Sequence, residues 1–431
     1  MLSEQELAIE RRVLKLVRDE LAQQALYEEA QGDRTQTARD MAQDYLQEDE
    51  DGQYLNYTDA AKVLEAVIDD LFLLGPLEEL LWDEDVSEID INAPDNVRVE
   101  VGGVMHGTRI RFEDDDHVKA VIDRIVGATG NRCDEGKTMC NCVLVRPGAP
   151  FDGSRVNATC MPPAVAHHEL CIRKFKQSKA TLQDLMESGM FDQRILEILE
   201  AILVGRMNFL IVGGTGTGKT TLLNALCRLI PRDQRVGILE DTPEIRFEHP
   251  DVFRNQARPA NAEGEGEGEV TIRDLVINSL RKRPDRIIVG ECRGPEAFDM
   301  LRAISSGHLG SITTIHANDA RGAMPALLNM VQQAGMGMEA KDILDYVSRC
   351  FDFVVAIERG TDGQRRITEI AEIQGMEGDK VRMGTIVKFE QDWTDGLQIE
   401  GTWVPTGERI SPEHISRMRK CGVTDEDWWY M

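Results

Sequence analysis

The chain has 431 residues, a length that allows two or three domains, and its 42% apolar content supports a sizeable core. A formal charge of −27 disfavours tight non-specific binding to nucleic acid, which needs a basic footprint, and direct adsorption to anionic lipid. No apolar run approaches the ~20 residues that span a bilayer, and Met1-Leu-Ser-Glu-Gln-Glu6 lacks the basic start and apolar stretch of a signal peptide, so a cytoplasmic or membrane-peripheral protein is expected.

Residues 1–59 form an acidic helical arm. Ser3-Glu-Gln-Glu6 has capping-box spacing, and Ile9, Val13, Leu16, Val17 and Leu21 follow a helical stripe. Gln47–Gln53 is a charged breaker. The arm is either a docking element for a partner or a helix packed on its own domain. Residues 60–175 follow as an α+β domain. Ala60–Leu74 is an amphipathic helix ended at Gly75-Pro76, and Leu77–Trp82 a shorter one. Val86–Asn92 alternates apolar and polar residues as a half-buried strand does. Val97–Val101 and Val104–Phe112 are further strands, and His117–Gly127 is helical. Asp152–Asn157 and Leu170–Phe175 form a turn and strand pair. Of the nine cysteines, Cys133, Cys140 and Cys142 lie close together, but no paired C-x-x-C or spaced histidines accompany them. An odd number of scattered thiols fits a reducing compartment.

A polar linker, 176–181, leads to a third segment, 182–387, in which helices alternate with apolar strands. That alternation predicts an α/β fold, a parallel sheet covered on both faces. Met207–Val212 is a buried strand, Thr221–Ile230 a helix, and between them stands Gly213-Gly-Thr-Gly-Thr-Gly-Lys-Thr220. Strand, glycine loop and helix make this a phosphate site. Backbone N–H groups from Gly214, Thr215, Gly216, Thr217 and Gly218, with Thr221 in the first helical turn, face one concave space. Lys219 reaches the outer phosphates, and the Thr220 hydroxyl ligates Mg²⁺. The predicted ligand is ATP with Mg²⁺.

Phosphoryl transfer also needs an oriented water. Val236–Glu240 is a core strand whose tip, Glu240-Asp-Thr-Pro-Glu244, supplies three carboxylates. Glu244 is the expected general base, with Glu240 and Asp241 orienting metal-bound waters. Arg286–Glu291 is an apolar strand ending in an acid, and Glu291 is expected to hold Mg²⁺ through water. Ser311–His316 is a third core strand, whose His316 is expected to sense the γ-phosphate; His308 is a second candidate. Arg273, Arg281, Arg283 and Arg293 cluster in sequence, and which of them acts across subunits is left open. Glu263–Glu269 reads as a solvated acidic loop. Residues 388–431 form an appendage carrying Trp393, Trp403, Trp428 and Trp429, with no chemistry assigned.

These residues resemble the type II/type IV secretion ATPase superfamily, whose fold is a RecA-like P-loop domain preceded by a smaller α+β domain. Gly213–Thr220 looks like its Walker A motif, Glu240–Glu244 its Asp box, Gly264–Gly294 its Walker B block, and Gly307–Asn318 its His box. Gly75-Pro-Leu-Glu78, Val86-Ser-Glu-Ile89, Asp152–Asn157 and Ile172-Arg-Lys-Phe175 are similar to the tight-adherence (Flp) pilus assembly ATPases. Ile304-Ser-Ser306 and Cys292 depart from the family pattern and touch none of the proposed chemistry. The resemblance implies a homohexamer with nucleotide between the two domains, approached by Arg155 and Arg173. It also implies docking on a polytopic inner-membrane platform protein, with no direct grip on nucleic acid. The expected function is an ATPase motor for pilus assembly or secretion. A conjugation-type exporter of DNA or effectors shares the chemistry; a nucleotide-binding scaffold without turnover is a different class, disfavoured by the intact Lys219, Glu244 and Glu291.

Overall fold

A computed structural model describes residues 2–25, 34–174, 180–258, 268–392 and 399–424. Residues 175–179 of the linker region, most of the acidic loop (263–267), and Trp393, Trp428 and Trp429 lie outside the described residues. The chain divides into two compact units, Met1–Lys176 and Gln177–Met431.

The first unit opens with three helices, α1 (Glu4–Ala25), α2 (Arg34–Glu48) and α3 (Tyr57–Phe72). The capping box forms: the Ser3 N–H donates to Glu6 at 2.5 Å, and the Glu6 N–H to Ser3 Oγ at 3.3 Å. Ile9, Val13, Leu14 and Val17 pack against Ala38, Ala42 and Leu46 of α2 and against Val63, Val67 and Ile68 of α3. The expected stripe is off by one position: Leu14 is buried and Leu16 exposed. After α4 (Glu78–Trp82) come β1 (Val86–Ala93), β2 (Asn96–Val101), β3 (Val104–Gly107), α5 (Asp115–Gly127), β4 (Met139–Val143), β5 (Arg155–Thr159) and β6 (Glu169–Arg173). The strands form one antiparallel sheet, ordered β3-β2-β1-β6-β5-β4. Its core face carries Ile89, Ile91, Val156, Ala158, Leu170 and Ile172, and the alternate residues form a polar outer face. Strand β4 has no counterpart in the sequence reading, because its Met-Cys-Asn-Cys-Val lacks a clear period of two.

The second unit runs α6 (Leu182–Glu187), α7 (Gln193–Val204), β7 (Phe209–Val212), α8 (Lys219–Cys227), β8 (Val236–Glu240), β9 (Val252–Gln256), α9 (Ile272–Ser279), β10 (Arg286–Val289), α10 (Glu296–Ser305), β11 (Ile312–Ile315), α11 (Ala323–Gln333), α12 (Ala340–Cys350), β12 (Phe353–Arg359), β13 (Arg365–Glu377), β14 (Lys380–Asp392), β15 (Glu400–Pro405) and α13 (Pro412–Lys420). The sheet order is β15-β14-β13-β12-β7-β11-β10-β8-β9. Strands β12 through β9 in that order are parallel, and β13–β15 extend the sheet antiparallel. Residues of β7 alternate between two cores, one on each face: Phe209 and Ile211 pack with α7 and α8, Leu210 and Val212 with α10 and α11. The α/β expectation, helices on both faces of a parallel sheet, is met.

Helix α13 is held at the end of the sheet away from the C-terminal tips of the parallel strands. His414 lies 2.5 Å from Glu372 and 3.1 Å from Asp352. Burial alone lowers the imidazole pKa, but these two carboxylates outweigh it and push His414 up to about 9. A histidine raised in the folded state adds stability that is complete below its unfolded value, near 6.5, and lost as pH rises through 9. A shift of that size corresponds to about 3 kcal/mol. Urea midpoints of wild type and His414→Gln should therefore converge as pH is raised from 6 to 9.5; a constant gap would show that the imidazole carries no such charge.

Candidate functional site

All four residues of β7 are buried, which anchors the loop that follows. Gly218 caps α8 in the left-handed region at φ 95°, a conformation that costs glycine nothing. At Gly213 a Cβ would stand 2.4 Å from the Ile357 carbonyl of β12 and 2.7 Å from Thr217 Oγ1, so the loop leaves the sheet where only glycine fits. Gly214, Thr215 and Gly216 are exposed, Thr217 and Lys219 buried, and Gly218, Thr220 and Thr221 half-buried. Thr217 Oγ1 donates to the Gly214 carbonyl at 3.0 Å. Lys219 Nζ folds back onto the loop, donating to the carbonyls of Gly213 at 2.9 Å and Gly214 at 2.8 Å. Burial lowers its pKa, and Arg293 adds to that while Glu291 opposes it.

The register then sets the order of the chemistry. Strands β7, β11, β10 and β8 are neighbours in that sequence and parallel, so their C-terminal tips form one row. Along the row stand the phosphate loop, His316, Glu291 and the Glu240–Glu244 turn. Lys219 Nζ is 3.4 Å from His316 Nδ1, and His316 Nε2 is 2.7 Å from Glu291 Oε1. The second contact is close but poorly aligned for a hydrogen bond, and Glu291 Oε1 is a buried oxygen with no aligned donor. Glu291 Oε2 accepts from Arg293 at 2.5 Å. Burial works against ionising Glu291, but Arg293, His316 and Lys219 outweigh it and hold the carboxyl below its ordinary range. His316 is held below its ordinary value by burial and by the Lys219 charge, against the pull of Glu291.

Two expected roles are revised by placement. Glu240 is 4% exposed, and its Oε1 accepts the N–H groups of Glu244 and Ile245, both at 2.9 Å. Burial pushes it up to about 7 against those two donors. It clamps the acidic turn rather than facing an open crevice, and it explains Gly290, where a Cβ would stand 3.0 Å from Glu240 Cγ. Glu244 is half-buried, and both it and Asp241 bear electrostatically on Arg293. His308 precedes β11 and so lies at the opposite end of the sheet from the phosphate loop, its Nδ1 2.9 Å from the Ala303 carbonyl. Two histidines eight residues apart across a strand cannot share one sheet end, because the strand advances about 3.3 Å per residue.

Of the four arginines, Arg293 reaches this row, Arg273 pairs with buried Asp299 at 2.7 Å, and Arg281 and Arg283 are exposed on the segment before β10. One cation was not anticipated: Arg365 of β13 donates from Nε to the Gly216 carbonyl at 3.1 Å, strapping the loop from outside. It lies 149 residues away in sequence with no motif around it, so only the fold reveals it.

In the first unit, Arg155 of β5 and Arg173 of β6 are directly opposed on the ladder and share the outer face of the sheet. Glu88 of β1 faces Arg173 from the other side.

Comparison with known proteins converges on the same stretch of chain. Residues 72–356 match the family model for Type II/IV secretion system proteins. A Mycobacterium tuberculosis protein (strain ATCC 25618 / H37Rv) that carries a conjugal-transfer name is 34% identical over 321 residues, covering 74% of this chain and 90% of the relative. The type IV secretion system protein VirB11 of Bartonella henselae is 28% identical over 337 residues, covering 69% of this chain and 91% of the relative. Among solved structures, the Legionella pneumophila ATPase DotB superposes with a TM-score of 0.50 at 25% identity, covering 69% of this chain and 79% of that one. The matched region contains both the phosphate loop and the row of strand tips beside it, and the chain belongs to the type II/IV secretion system protein family of P-loop ATPases.

Proposed function

We propose that the chain is a Mg²⁺-dependent ATPase motor that works as a homohexamer in a pilus-assembly or secretion machine. The observation that carries this reading is the row of strand tips, which lines up Lys219, His316, Glu291 and the Glu244 turn in the order of their strands. In it, the loop N–H groups from Gly214 to Thr221 and Lys219 hold the phosphates. Glu244 orients and deprotonates the attacking water, and Glu240 positions that turn. His316 reports the state of the γ-phosphate to Glu291. Arg155 and Arg173 supply guanidinium groups for the nucleotide.

The residues present fit Mg²⁺. Glu291 offers a buried carboxylate oxygen with no aligned donor, and the Thr220 hydroxyl makes no hydrogen bond among the described residues. When bound, Mg²⁺ supplies charge neutralisation on the outer phosphates. Among the described residues no helix is long and apolar enough to cross a membrane. The proposed motor attaches peripherally to the cytoplasmic face of the inner membrane through a polytopic platform partner. A second reading, conjugation-type export of DNA or effectors, is supported by the conjugal-transfer and type IV secretion names of the relatives.

The test is ATP hydrolysis by the full chain, measured beside its mass in solution, for wild type and Glu244→Gln. A hexamer whose turnover falls by at least ~10²-fold in a variant that still binds ATP is expected. An ATP-binding hexamer without turnover in either form, even with membranes and platform protein present, leaves a scaffold instead of a motor. Unchanged turnover in Glu244→Gln moves the base to another carboxylate.

A further inference from the structure

Apart from the nucleotide chemistry, four thiols gather on the core side of the six-stranded sheet. Cys133 follows α5, Cys140 and Cys142 stand on β4, and Cys160 lies just past β5. Cys133, Cys140 and Cys160 belong to the core of the first unit, and Cys142 packs against it. The sulfurs are not gathered round a point. Among the described residues no three of them lie within 4.8 Å of one another, so the arrangement is not that of a metal centre.

One pair is different. Cys133 Sγ and Cys160 Sγ are 3.0 Å apart, and each residue is 1% exposed. The backbone holds both in place. The Cys160 N–H donates to the Thr138 carbonyl at 2.7 Å, and Cys133 Sγ lies 3.4 Å from that same carbonyl. Cys160 Sγ in turn lies 3.6 Å from the Cys133 carbonyl. A disulfide needs ~2.05 Å between sulfurs, so about 1 Å of approach suffices. Cys140 and Cys142 stand two apart on β4, where they pair with Ala158 and Val156 of β5.

We propose that Cys133 and Cys160 are a reversible redox pair that a low-molecular-weight disulfide oxidises to an intramolecular disulfide. In the first step one cysteine thiolate attacks a sulfur of glutathione disulfide; a protein–glutathione bond forms, the glutathione S–S bond breaks, and one glutathione thiolate leaves. The second cysteine thiolate then attacks the protein sulfur of that mixed disulfide and expels the other glutathione. The two thiol protons end on the two glutathiones, and two electrons pass from the protein to the reagent. Reagent access follows from the topology: β4 is the edge strand, so breaking one ladder opens the pair. Burial pushes the Cys133 thiol up to about 12, which keeps the pair unreactive while that ladder is closed. Transient disulfides of this kind are the form compatible with a reducing compartment. The bond ties the segment entering β4 to the segment leaving β5, and so clamps the hairpin whose β5 begins with Arg155.

The test uses the full folded chain, treated with glutathione disulfide, alkylated and digested with trypsin without reduction. Cleavage separates residues 133–137, 138–155 and 156–173, which carry Cys133, Cys140 with Cys142, and Cys160 with Cys171 respectively. The expected product links 133–137 to 156–173, with fragment ions placing the bond on Cys160. It should raise the thermal midpoint by several degrees, reversed by dithiothreitol and absent in Cys133→Ser. A link involving only 138–155, or a 133–160 link that appears only in urea, would overturn the proposal. The wild-type peptide map decides the matter even where the serine variant does not fold.

Discussion

Lys219→Met should turn over ATP at least ~10²–10³-fold more slowly than wild type. The lysine is the buried cation at the mouth of the loop, held by the Gly213 and Gly214 carbonyls and 3.4 Å from His316. Those carbonyls are weak partners compared with phosphate oxygens, so the ammonium is poised to exchange them for the charge that develops in phosphoryl transfer. Methionine matches the length and apolar stem but removes the charge. The loop itself should survive, because its shape rests on Gly213, Gly218 and the Thr217 bond to Gly214. The measurement is steady-state phosphate release, beside nucleotide affinity from a fluorescent ATP analogue. A loss of less than tenfold would mean that another cation, such as Arg365 or Arg293, carries the transition-state charge.

Asp352→Ala should lower stability by about 3–5 kcal/mol, a fall in thermal midpoint on the order of 10 °C for a unit of this size. Asp352 is 5% exposed, and three partners depend on its carboxylate. Arg417 approaches it with both terminal nitrogens, one at 2.9 Å. His414 lies 3.1 Å away, and the Asn208 N–H donates at 2.7 Å. Asn208 also donates from its side chain to the Cys350 carbonyl and accepts from the Gly310 and Ser311 N–H groups, so the carboxylate sits at the centre of the joint between α13, β12 and the start of β7 and β11. Alanine leaves Arg417 with one fewer anion, and His414 with Glu372 alone. Asp352→Asn, which keeps the shape and one acceptor, should lose less than half as much. Equal and small losses in both variants would show that the joint is held by the apolar contact of Met418 with α7 and not by charge.

How much of this was legible beforehand depends on how far apart the cooperating residues lie. The phosphate loop is eight contiguous residues, and its conformation is dictated by local glycine geometry between a buried strand and a helix. The core strands 236–240, 286–289 and 312–315 were also legible, because short β-branched runs bounded by turns are a local signal. The expected base and metal carboxylates lie on the strand tips that follow those runs.

What the chain alone determined is therefore the kind of chemistry: a glycine loop, acids and a histidine at strand ends, and an acidic surface without a basic stripe. The tertiary structure alone decided which of those groups meet. Parallel register brought His316 to Lys219 and Glu291 and sent His308 to the other end of the sheet. Burial turned Glu240 from a water-orienting acid into a clamp for its own turn. Pairing across long loops delivered Arg365 to Gly216, Arg417 to Asp352 and Cys160 to Cys133. Such contacts arise from the packing of whole elements, and nothing in the residues flanking either partner encodes the distance between them.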